Sequence, residues 1–290
     1  VTARGLSLLA LAQLAIGAAA IFARFALAGG GPLSVSAMRL LLASVPLCAV
    51  AFVRGAYRRI DGPTERRLLI AGLALAVHFG TWIASLNYAS VAVSTLLVCS
   101  TPIFTELYAV VRARRIRLDA LASIALGLAG VAIIGGRPSS LDHPLGIALA
   151  LAGAIAMAVY LTLVRASDKR YRTIAIVGRT YPVAMIALSL SALVSHDPLP
   201  PLTDGSAWAG IAAMALISQL FGHTALNAAL RTLRPTFVAT VTLIEPAIAA
   251  GLAALIFHES VPPATILGAT VILGAIAVAI RAESREPVVP

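Results

Sequence analysis

The sequence predicts an all-α, polytopic membrane protein of ten transmembrane helices arranged as two inverted five-helix repeats. Three observations predict it. Of 290 residues, 60% are hydrophobic and only 12% charged, with a mean hydropathy of +0.95. A soluble domain carries about 25% charged residues, so this chain lacks the means to cover a water-facing surface. The apolar runs are also about 20 residues long and rich in Leu, Ala and Ile. That length crosses roughly 30 Å of hydrocarbon as helix, whereas barrel strands would alternate over roughly ten residues. Finally, the basic residues cluster between alternate runs.

The spans run in order along the chain. The first, 6–27, begins directly after Arg4 and is read as a span, since no Ala-x-Ala break and polar mature domain come after it. The second, 34–53, starts behind Pro32, and the third, 68–88, comes after the basic loop 54–67. The fourth, 91–111, contains Pro102, and the fifth is 118–136. The sixth, 144–165, opens on Pro144, and the seventh, 173–194, contains Pro182. The eighth is 206–229, the ninth, 235–257, opens on Pro235, and the tenth, 263–281, lies just past Pro262. A proline at a helix start loses no hydrogen bond. Pro46, Pro102, Pro182 and Pro246 lie inside spans and are expected to kink them or to mark loosened turns. Residues 285–290 are expected to form a short tail.

Orientation comes from the basic residues. Arg4, the 54–67 loop, Arg112 to Arg117, Arg165 to Arg172, Arg231 with Arg234, and Arg281 with Arg285 place 18 of the 22 on one side. Arg137 alone lies on the other, and Arg24, Arg39 and Arg179 fall within spans. The positive-inside rule then sets both termini of this multi-pass protein in the cytoplasm. The halves also echo each other. Pro102, Arg115 and Gly130 recur as Pro246, Glu259 and Gly274, each 144 residues on. Phe79-Gly80 recurs as Phe221-Gly222, and Arg39 as Arg179. This divides the chain into repeats 1–137 and 138–290. Five spans per half invert the second copy.

Net charge is +10, but no basic stripe with interleaved aromatics is present, so the charge points to anionic lipid and not to nucleic acid. Cys48 and Cys99 lie in apolar runs and read as small buried hydrophobes. The sequence contains no metal-ligand spacing, no GxGxxG after a strand and no GxxxxGK[ST]. No cofactor is expected, and enzyme chemistry has no motif to support it.

Polar residues inside spans carry most of the functional signal, because each is costly in hydrocarbon. Glu106 and Glu245 sit near the internal prolines, as sites of proton coupling or substrate ammonium, or as structural ion pairs. Arg39 and Arg179 occupy equivalent places, either meeting a substrate carboxylate or pairing across the bundle. His78, Trp82 and Ser85 are spaced i, i+4, i+7 and share a face suited to a metabolite cavity, or to interhelical hydrogen bonds. Gln219, His223 and Asn227 form the matching face, with Tyr160 and Tyr181 as further walls. His258 and Glu259 read as a rim pair, and the glycines, including Gly127, Gly130, Gly268 and Gly274, as packing residues.

With these residues in place, the stretches AMRLLLA at 37–43, LNYASVAVSTLLVCSTPIF at 86–104 and VTLIEPAIAAGL at 241–252, then Phe257, His258 and Glu259, are similar to the EamA branch of the drug/metabolite transporter superfamily. The resemblance covers roughly residues 6–281, and Pro102, Pro246, Glu259 and Arg39 fall on family positions. Arg115 departs from the pattern, standing where the first half would repeat Glu259. The resemblance implies a central cavity lined by both halves and export of amino acids or other small metabolites. With Trp82, His78 and Tyr160, it makes aromatic or hydrophobic amino acids the expected small-molecule substrates, with threonine-like solutes as rivals. Proton coupling and a working monomer fit this expectation, and a channel or lipid flippase is the alternative.

Overall fold

A computed structural model describes residues 3–56, 60–89, 91–135, 143–167, 170–257 and 263–285. His258, Glu259 and Arg137 lie outside the described residues. The described chain is helical throughout. Helix α1 runs Ala3–Gly17 and resumes as Ala19–Leu27; α2 is Pro32–Val53; α3 is Gly62–Ser85; α4 is Val91–Val98 and Thr101–Ala113; α5 is Leu118–Gly135. In the second half, α6 is Pro144–Arg165, α7 is Thr173–Val194, α8 runs from Gly205 to Ala229, α9 from Pro235 to Phe257, and α10 is Pro263–Arg285. Among the described residues nine helices are long and apolar enough to cross a membrane, and the apolar stretch of α5, Leu118–Ile134, is shorter. Large apolar side chains such as Leu14, Phe52, Leu73, Leu190 and Leu273 point outward, as lipid contact requires.

The packing obeys an inverted two-fold relation. Helix α3 packs along α6, and its counterpart α8 packs along α1. Contact of α3 with α7 is mirrored by α8 with α2, and contact of α4 with α6 by α9 with α1. Helices α2 and α7 pair with each other, as do α5 and α10. A pseudo-two-fold axis in the membrane plane requires each of these pairings.

Hydrogen bonds between helix ends tie the bundle at both faces. At the arginine-rich face, Asp61 caps α3 by accepting from the Thr64 N–H at 2.8 Å, and also accepts from the Tyr171 hydroxyl at 2.8 Å. The Thr64 N–H and Tyr171 hydroxyl hold this carboxyl below its ordinary range. The tie therefore persists in acid until pH falls through that lowered value. Arg165 donates to the carbonyls of Leu230 at 3.0 Å and Arg231 at 2.6 Å, capping the C-terminus of α8. Arg179 donates to Glu65 at 2.9 Å, linking α7 to α3. At the opposite face, Ser34 N–H donates to Asp197 at 2.9 Å and His143 N–H to the Tyr88 carbonyl at 2.8 Å.

The internal prolines do not act alike. Helices α2 and α7 run without a break through Pro46 and Pro182. Side chains and neighbouring turns can absorb one lost backbone bond. The chain breaks instead at Cys99–Ser100, just ahead of Pro102, and tightens to 3₁₀ geometry over Thr242–Ile244, just ahead of Pro246.

Candidate functional site

Four helices lose regular geometry at related depths, and their irregular turns meet. Helix α1 is interrupted at Ala18, α4 at Cys99–Ser100, α8 contains a π-helical stretch over Met214–His223, and α9 contains the 3₁₀ turn. Such departures in a helix concentrate at functional positions, and inside a membrane they are tolerated where they border a cavity. Here they do. Gly17 and Ala19 of α1, Cys99 and Thr101 of α4, His223 of α8, and Thr242 and Glu245 of α9 line one cavity of about 60 Å³. Arg39 of α2, His78, Phe79 and Trp82 of α3, and Met157 and Leu161 of α6 complete its wall. That volume holds a few water molecules. Pockets for metabolite-sized ligands span about 300–1,000 Å³, so admitting a solute requires the bordering helices to separate.

The wall is aromatic on the α3 side. The His78 and Trp82 rings stack with centroids 6.2 Å apart and planes 12° apart. His78 Nδ1 lies 2.9 Å from the Gly153 carbonyl of α6; a carbonyl only accepts, so Nδ1 carries the hydrogen. Phe79 meets the His223 ring edge-on at 5.2 Å, and the Arg39 guanidinium lies over the Phe79 ring at 4.2 Å. Arg39 is fully buried and donates from Nη2 to Gln219 Oε1 at 2.8 Å. Among the described residues no group of three or more His, Cys, Asp or Glu side chains is placed to hold a metal ion.

The structure brings His78, Trp82, His223, Arg39 and Glu245 to this cavity and leaves other expected residues outside its wall. Ser85 is buried against Ser94 at 2.6 Å, beyond Trp82. Tyr160 donates its hydroxyl to Asn227 at 2.8 Å, and Asn227 donates to the His223 carbonyl at 2.7 Å. Those two residues fasten α6 to α8 instead of lining the wall. Spacing by four overstates the shared face here, because the π turns through His223 bond i to i+5 and rotate the rest of α8 relative to them. Arg39 and Arg179 hold comparable positions from their helix N-termini but different surroundings, Gln219 and Phe79 for one and Glu65 for the other. Glu106 is 1% exposed and lies away from the cavity, 3.9 Å from Arg117. Thr101 and Thr242 were not singled out by sequence reasoning, and Phe79 only as part of the internal repeat. The one available signal was that Thr101 stands directly before Pro102 and Thr242 four residues before Pro246.

Because Asn227 and Tyr160 satisfy each other in a buried setting, Asn227→Ala should destabilise the fold. The expected loss is about 1–3 kcal/mol from the orphaned Tyr160 hydroxyl. A thermal unfolding series in detergent checks this, with Tyr160→Phe in the Asn227→Ala background restoring part of the loss.

Ten helices in two inverted halves, with broken helices meeting at a cavity between them, make the frame of a secondary transporter. The profile of the EamA-like transporter family matches residues 3–136 and again 144–281. The chain belongs to this family, within the drug/metabolite transporter superfamily. It is 23% identical over 233 residues to the protein named "Uncharacterized inner membrane transporter YedA" from Escherichia coli K12, covering 75% of this chain and 71% of that one. The protein of the same name from Escherichia coli O157:H7 matches equally. A crystal structure of another protein superposes with a TM-score of 0.81 at 17% identity, covering 98% of this chain and 99% of that one, which establishes shared fold.

Proposed function

We propose that this chain is a secondary exporter of amino acids, aromatic or otherwise hydrophobic ones foremost, and of related small metabolites. It works in the inner membrane, with the arginine-rich connections and both termini in the cytoplasm. The observation that carries the substrate reading is the stacked His78–Trp82 pair, continued by Phe79, on the wall of the cavity between the repeats. Stacked rings present a flat apolar face at low entropic cost, which suits an aromatic side chain. The membrane assignment is supported by the relatives' names and by the 18 basic residues gathered on one side. Glu245, the one carboxylate among the described residues of the cavity wall, is the candidate for proton coupling. The internal two-fold repeat permits a working monomer.

Purified protein in liposomes, assayed with labelled phenylalanine, tryptophan and threonine, tests this reading; absence of saturable flux for every amino acid would remove it. Trp82→Ala is expected to raise the apparent KM for aromatic substrates by about ten-fold, the value of roughly 1.4 kcal/mol of lost ring contact. The KM for threonine should move little. Unchanged kinetics for all substrates would make Trp82 a packing residue.

A further inference from the structure

Three residues of the cavity wall, Arg39, Trp82 and His223, and Gln219 bonded to the first of them, hold buried hydrogen-bonding nitrogens without partners. Arg39 is 0% exposed, yet only its Nη2 is engaged; Nε and Nη1 have no hydrogen-bond partner. Arginine has no acceptor, so the Gln219 oxygen must face it, and this turns the Gln219 amide nitrogen away, toward the Tyr181 hydroxyl but short of a formed hydrogen bond. Trp82 Nε1 and His223 Nδ1 are buried and unpartnered as well. The first four of these atoms are donors only, and the His223 nitrogen is a donor in one tautomer. The groups that act on Arg39 are Tyr181, His78 and His223, with the Phe79 ring against its face, and none is a carboxylate. A buried guanidinium is ordinarily matched by an anion, because leaving it unpaired in low dielectric is costly. Glu245 lines the same cavity but forms no ion pair with Arg39.

We propose that Arg39, with Gln219, His223 and Trp82, forms an oxyanion site that selects solutes carrying a carboxylate. The solute's carboxylate accepts from the open N–H groups of Arg39, a charge-assisted contact to a planar cation that lysine would not reproduce. The ring stack takes its side chain, and Glu245, on the ninth helix, takes an ammonium where the solute has one. The site rests on the proposed reading only in placing the solute in this cavity; its chemistry extends to carboxylates without an amine.

Calorimetric titration of the purified protein with L-phenylalanine, 3-phenylpropionate and L-phenylalaninamide tests the site. Either acid should bind at least about ten-fold more tightly than the amide, the difference expected for a charge-assisted contact. Equal binding of acid and amide, or binding of neither acid, overturns the oxyanion site. Binding of 3-phenylpropionate without phenylalanine keeps the site and removes the amino-acid reading instead. Gln219→Glu provides the second arm. It places a carboxylate beside Arg39 Nη2, so it should raise the Tm and reduce carboxylate binding by about ten-fold or more. A Gln219→Glu protein that binds phenylalanine or 3-phenylpropionate as the wild type does would also overturn the proposal. Arg39→Gln should lose carboxylate binding, and Gln219→Glu keeps the test decisive where that variant fails to fold.

Discussion

Glu245→Gln is expected to lower concentrative transport by at least about ten-fold while exchange of solute across the membrane falls much less. The carboxylate lines the cavity at the point where α9 leaves its 3₁₀ turn and meets Pro246. Among the described wall residues it is the one acidic side chain, so it is the one whose negative charge can hold an ammonium or be discharged by a proton. Glutamine keeps the shape and removes the charge. A hydrogen bond involving a charged group contributes about 1.5–3 kcal/mol, which sets the expected scale. Uptake against a gradient and counterflow at equal concentrations, measured on the same liposomes, separate the two activities. Equal loss of both, or an unchanged dependence on the pH gradient, would show that coupling does not run through Glu245.

The second large effect is structural. Gly268→Val should abolish accumulation of folded protein, because α5 and α10 cross in near-backbone contact at this residue. A Cβ on Gly268 would stand 2.5 Å from the Gly130 carbonyl oxygen and 2.6 Å from Ile134 Cγ1. A Cβ on Gly130 would meet the Gly268 carbonyl oxygen at 2.8 Å. Apolar association in lipid draws on such close approach, since no water is expelled to drive it. Overpacking of this kind typically costs about 1–3 kcal/mol or more, and backbone atoms cannot rotate aside as side chains do. Gly274→Ala is the control. Its nearest neighbour, Leu126 Cδ2, would lie 4.0 Å away, so yield and Tm should hold. The monodisperse fraction after solubilisation reads both variants. Normal yield for Gly268→Val would mean that this crossing does not limit the fold.

The same two glycines show where sequence reasoning reaches its limit. Both lie in the last helix and both looked like packing residues, yet only Gly268 faces another backbone. Which side of α10 meets α5 depends on helix rotation, and an apolar helix in lipid has no polar face from which to read that rotation. His78 and Trp82 were legible as a pair because one regular helix carries them four residues apart. Asn227 was not, because a π-helical stretch ahead of it shifts the register that a spacing of four assumes. Glu106 and Glu245 looked alike as intramembrane carboxylates beside prolines. Packing separates them, one on the cavity wall and one against Arg117.

Hydrophobic length, the clustering of basic residues between alternate runs and the recurrence of Pro102 as Pro246 were enough, without coordinates, to determine a helical membrane protein of two inverted halves. They suffice because hydrocarbon leaves the backbone no partner but itself, which makes span length and charge placement nearly independent of what each helix touches. The cavity wall, the open donors of Arg39 and the crossing at Gly268 were decided only by tertiary structure. They depend on how helices rotate and where their turns break, and in lipid those choices come from close packing between neighbours distant in the chain.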